Sequence, residues 1–179
     1  MVTGATVCVN TLTIATSVNA SGDKYFCQEV DDVHGIYSST ERGKIKYMNF
    51  VRDVSQGWSI ERRCDVVADR FQRFDDSGVL KFVVAGYVNN EPVLCAVAAE
   101  GNLCSSDNVL VTLPPQSDPV REARRLIDTR GLAAGRVISV NGKQGKLESY
   151  VNGNTYYNLE ILEQLILEDE NSDRLIPNE

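Results

Sequence analysis

Histidine occurs once in this chain of 179 residues, as His34, and tryptophan once, as Trp58. The first scarcity removes most nucleophilic catalysis, because a serine or cysteine nucleophile needs a neighbouring base. His34 stands beside Asp31 and Asp32 in a strand-like run, and the sequence holds no G-x-S-x-G elbow. None of the five cysteines forms a C-x-x-C pair, so a zinc site would have to be assembled from isolated side chains. No metal and no cofactor are expected. The segment Asn141-Gly142-Lys143-Gln144-Gly145-Lys146-Leu147 is two residues short of a phosphate-binding loop and has leucine where Ser or Thr must reach magnesium, so it reads as a hairpin turn. With 25 acidic residues any carboxylate pair can be nominated, and Asp75-Asp76 is better assigned to the end of a helix than to glycosidase chemistry.

Positive charge is the minority sign: 18 Lys and Arg against 25 Asp and Glu leave a net charge of -7. That balance argues against coating nucleic acid or an anionic lipid surface, since both need a basic footprint. No apolar run of roughly 18 residues exists, so no transmembrane helix is predicted. What is present is ordinary for a globular domain, 42% apolar and 24% charged residues. A chain of this length can bury about 70% of the surface its unfolded form exposes. Residues 1–20 carry no charge and end in Val18-Asn19-Ala20, with small side chains where a signal peptidase reads. They resemble the tail of a secretory signal peptide without its basic beginning; a flexible or strand-forming N-terminus is the alternative. Residues 21–168 then form a single α+β domain, and residues 169–179 an acidic flexible tail.

Within that domain the pattern predicts an antiparallel sheet of about six to eight short strands with two or three helices packed on one face. Lys24 to Val30, His34 to Thr40 and Lys44 to Arg52 read as a meander, the last two joined by Glu41-Arg42-Gly43. Ile60, Cys64, Val67, Ala68, Phe71 and Phe74 recur at helical spacing, with Ser59 as N-cap and Asp75-Asp76-Ser77-Gly78 as the stop. Val79 to Val88 and Glu91 to Ala99 form a hairpin on Asn89-Asn90, and Asn108 to Leu113 a further strand before Pro114-Pro115. Ser117 or Asp118 caps a second helix from Pro119 to about Arg130, with Gly131 beyond it. Arg136 to Val140 and Lys146 to Val151 read as another hairpin, and Leu159 to Glu168 as a last helix built on Leu159, Leu162, Leu165 and Ile166.

The cysteines are Cys8, Cys27, Cys64, Cys95 and Cys104. Removing Cys8 with a leader leaves an even number, as an oxidising compartment favours. Cys95 and Cys104 flank a turn, and a bond there would close a small loop worth about 2.5 kcal/mol on the chain-entropy model. Cys27 and Cys64 would then pair by elimination. Four cysteines allow three connectivities, and the sequence does not choose among them. The competing reading is that Cys27, Cys64 and Cys95 are small buried residues of a reduced protein.

The contexts of these cysteines carry a resemblance: Tyr25-Phe26-Cys27, Glu61-Arg62-Arg63-Cys64 opening a helix that ends in Arg70-Phe71-Gln72, Gly86 to Cys95, and Cys104 followed by Val109-Leu110-Val111-Thr112-Leu113. Over about residues 24 to 130 the chain resembles the cyanobacterial circadian oscillating protein family, of the small membrane-associated type. The resemblance implies an exported, envelope- or thylakoid-associated location and rhythmic expression. It implies no activity and supplies no catalytic residue.

Three features remain as candidate binding residues. Trp58 lies directly before the Ser59 cap, where it reads as a staple over the helix start with Arg63 in the usual partner position, or as a loop anchor for a partner. Arg121, Arg124, Arg125 and Arg130 give the second helix a basic face, either solvated or in contact with an acidic protein or lipid head groups. Gly101 and Leu103 sit in the loop that a Cys95 to Cys104 bond would rigidify. The reading is a non-enzymatic, disulfide-stapled module of the periplasm or thylakoid lumen that binds another protein at a membrane surface and binds no nucleic acid. An inhibitor or ligand-binding protein presenting the Cys95 to Cys104 loop is the alternative function, and the cytoplasm the alternative compartment.

Overall fold

The computed structural model describes residues 22–40, 43–50, 57–127, 137–140 and 143–174. Alternating side chains build the first sheet from β1 (Tyr25–Val30), β2 (Val33–Thr40) and β3 (Gly43–Phe50), in the order β1-β2-β3 and antiparallel throughout. Asp31 and Asp32 take φ of 52° and 59° to close the first hairpin, a left-handed conformation that short polar side chains tolerate. One face of this sheet sends Tyr25, Ile36, Ile45 and Tyr47 into the core. The other stacks Phe26 on Tyr37, with Lys44 Nζ 5.4 Å from the Phe26 ring centroid.

Helix α1 (Ile60–Asp76) lies against β1 and β2. Ser59 caps it by accepting from Arg62 N at 3.2 Å, and Gly78 follows its end with φ of 71°, so both signals in the sequence act as expected. Its buried stripe is Cys64, Val67, Ala68, Phe71 and Phe74. The rings of Tyr25, Tyr47 and Phe71 meet in tilted contacts of 5.4 to 6.0 Å, and burying one such side chain stabilises by about 1.5–3 kcal/mol.

The second sheet contains β4 (Phe82–Val88), β5 (Glu91–Val97), β6 (Val109–Thr112), β9 (Glu148–Val151) and β10 (Asn154–Asn158) in the order β6-β5-β4-β10-β9. Asn89 and Asn90 have φ of 51° and 65°, the primed turn expected between β4 and β5. Helix α2 (Pro119–Ile127) and a separate pair, β7 (Val137–Val140) and β8 (Lys143–Lys146), come between β6 and β9. Asp118 caps α2 by accepting from the backbone N–H of Val120 and Arg121. Helix α3 (Leu159–Arg174) buries Leu159, Ile161, Leu162, Leu165 and Leu167.

The class is α+β, as the periodicity predicts, but one sheet of six to eight strands is replaced by antiparallel sheets of three, five and two strands. Main-core side chains come from both larger sheets and all three helices. The predicted strand Lys146 to Val151 is broken at Leu147, which turns into the core and separates β8 from β9. Helix α3 runs past Glu168 to Arg174. Cys8 and the proposed leader, the turn residues Glu41 and Arg42, Arg130, Gly131, Asn141, Gly142 and residues 175–179 lie outside the described residues, as does the Arg125 side chain.

Candidate functional site

Strand β5 is buried from Pro92 to Val97 because both faces of the second sheet are covered. Leu94 and Ala96 face the main core, while Val93, Cys95 and Val97 join Val84 and Tyr156 in a separate cluster on the outer face. The connection from β5 to β6, residues 98–108, folds back over that outer face. Cys104 belongs to this connection and not to a strand: β5 pairs Cys95 with Val109, and the Cys95–Cys104 bond pins the loop down onto the sheet. Its sulfur lies 3.7 Å from the Val84 carbonyl oxygen. A Cβ at Gly86 would come within 3.2 Å of that sulfur, so the absent side chain makes room for the bond.

Hydrogen bonds fix the rest of the loop. Tyr156 Oη donates to the Asn102 carbonyl at 3.0 Å, and Ser149 Oγ donates to the Glu100 carboxylate. Asn108 accepts from Ser105 N at 2.7 Å through Oδ1 and donates to the Leu103 carbonyl at 3.0 Å through Nδ2. Above this frame Gly101 takes φ of 91° with open space around it, and Leu103 is 58% exposed. The second bond, Cys27–Cys64, joins β1 to α1, with the buried Cys64 sulfur 3.4 Å from the Gly35 carbonyl oxygen.

A second candidate lies at the opposite edge of α1. Trp58, Arg63, Val66 and Arg70 line a cleft of 210 Å³ whose floor is completed by Val67 and the edge strand β6. Trp58 is 40% exposed, and the Arg62 guanidinium stacks over its ring at 4.7 Å. Arg62 therefore takes the place that the staple reading gave to Arg63, whose guanidinium lies over Phe50. Arg70 Nη1 donates to the Leu110 carbonyl at 3.0 Å. Burial, and then the positive charge of Arg73, lower the Arg70 pKa from its ordinary value.

The arginines of α2 divide. Arg124 grips Glu148 of β9 through Nε and Nη2, and that hydrogen bond and charge raise its pKa. Arg121 is exposed. His34 faces Glu29 across the first hairpin at 3.8 Å. Among the described residues no three His, Cys, Asp or Glu side chains converge as metal ligands.

Both candidates fall inside the span matched by one family model, circadian oscillating protein COP23, which covers residues 24–163. The chain belongs to that family. The matched span contains both disulfides and ends within α3. No curated protein and no solved structure matches the chain. The COP23 description speaks of a circadian oscillation and of no reaction. Gly86 and Arg70 carry the family resemblance in the sequence without a site role, and Tyr156 has no signal there; the structure places all three at the candidate sites. Arg63, Val66 and Arg70 recur at helical spacing, which places them on one face of α1 and could have been read in advance; the Gly86 contact joins segments far apart in the chain and has no local signal.

Proposed function

We propose that the chain is an exported, non-enzymatic, disulfide-stapled module that binds another protein at an envelope or thylakoid membrane surface, in the periplasm or thylakoid lumen. The two disulfides support an oxidising compartment. The observation that carries the binding reading is Trp58, the single tryptophan, standing half open beside a cleft. Tryptophan and arginine are the side chains most often found to dominate binding energy. No described helix is long and apolar enough to cross a membrane, so membrane contact is assigned to the partner or to a surface.

The reading is tested by tagging the chain in its native host and identifying what co-purifies from the membrane fraction. A specific partner, lost with Trp58→Ala, is expected; equal recovery with that variant removes Trp58 from the interface. A second reading, an inhibitor or ligand-binding protein, is favoured by the fixed 98–108 loop, whose ordering entropy is already lost before binding. Gly101→Ala and Leu103→Ala would then abolish binding of a protease or other ligand, and unchanged binding would reject it.

A further inference from the structure

We propose that the cleft between α1 and β6 receives the C-terminal residue of a partner polypeptide, its carboxylate on Arg70 and its apolar side chain against the valines. This rests on the protein-binding reading above and names the partner's chemistry. The cleft holds 210 Å³, below the roughly 300–1,000 Å³ of sites for drug-sized ligands, so it accommodates a group the size of one residue. Among the described residues its apolar lining is Trp58, Val66, Val67 and Val111, and the charged residues that line it are the cationic Arg63 and Arg70. On a chain of net charge -7 a guanidinium that lines a cleft, as Arg70 does, is complemented by an anion.

Arg70 is the anchor because its guanidinium is held in place. One N–H is bound to the Leu110 carbonyl, which orients the plane, and among the described residues no carboxylate pairs with it. A guanidinium has five donors in a fixed fork, so donors remain for a carboxylate. An added β-strand is not the occupant. Strand β6 is four residues long, its Leu110 carbonyl is already taken by Arg70, and Pro114-Pro115 follow, all features that blunt an edge against pairing. A chain end that enters end-on needs no strand ladder.

The single tryptophan supplies the readout. Trp58 fluorescence is titrated with the pentapeptide Gly-Ser-Gly-Ser-Leu as free acid, with the same peptide as C-terminal amide, and with N-acetyl-leucine. The free acid is expected to give a saturable change and the amide to bind at least about tenfold more weakly, the scale of one charge-assisted hydrogen bond. Arg70→Gln should weaken the free acid by a similar factor. Val66→Glu should do the same by placing a carboxylate in the cleft four residues before Arg70, where it competes for the same guanidinium. Identical titrations for acid and amide, or full binding by Val66→Glu, would overturn the proposal. N-acetyl-leucine, which carries the same terminal residue and carboxylate, should bind comparably, and its failure to bind would overturn the single-residue contact. If both variants still capture the native partner, this inference fails alone; if the wild-type chain captures none, the protein-binding reading fails with it.

Discussion

At Gly86 and at the buried tyrosines small chemical changes have calculable effects. In Gly86→Ala the new methyl group meets Cys104 Sγ at 3.2 Å and Cys104 Cβ at 3.3 Å, and the disulfide prevents that neighbour from yielding. We predict a loss of about 1–3 kcal/mol in urea unfolding, typical of overpacking. In a Cys95→Ser, Cys104→Ser background the penalty should shrink, and a double-mutant cycle showing no coupling would contradict this contact. Burial pushes the hydroxyls of Tyr47 and Tyr157 up to about 12 and that of Tyr25 higher still. An unfolded tyrosine releases its proton near 10, so above that pH the unfolded state loses protons that the folded state retains. Stability is therefore full below about pH 10 and falls as pH rises towards 12, by about 1.4 kcal/mol per pH unit for each proton withheld. Tyrosinate absorbance should lag behind the sum of free tyrosines until circular dichroism reports unfolding; complete ionisation of a folded chain would refute the burial of this cluster.

Elements were legible wherever a local signal and a buried face agreed. Ser59, the helical recurrence to Phe74 and Gly78 delimit α1, and Asn89-Asn90 delimits the β4 to β5 hairpin. The region after α2 carries weaker local signals. Asn152 and Gly153, at φ of 50° and 84°, make a primed turn that the dipeptide itself announces, yet the short strands β8 and β9 have little apolar alternation to separate them. The division into separate sheets depends on long-range pairings such as Tyr156 with Val84, which no local window contains. The disulfides differ at this scale too. Cys27–Cys64 spans a separation of 37 residues and Cys95–Cys104 one of 9; the chain-entropy model assigns them about 4 and 2.5 kcal/mol respectively. Paired Ser substitutions should follow that order in chemical unfolding, whereas an equal cost would place the stabilisation in native contacts instead. The Arg124 to Glu148 pair, by contrast, is exposed, and Glu148→Gln should cost less than about 1 kcal/mol.

For the whole molecule, the candidate site was only partly visible beforehand. Trp58, Gly101 and Leu103 stood out by scarcity or by position between cysteines, but Arg70 and Thr112 become neighbours only when α1 packs beside β6. The compartment can be tested on the intact chain. Native protein should take up four alkylating groups more after reduction than before, two for each disulfide, with a mature N-terminus near Ser21. Four free thiols at those positions without reduction, and Met1 retained, would overturn export. The covalent plan has one more consequence. Residues 27 to 64 and 95 to 104 form two rings that neither overlap nor enclose one another. If Cys8 leaves with a leader, a chain delivered N-terminus first can close the first ring before Cys95 has emerged, pairing each remaining cysteine with the next in line without threading one ring through the other.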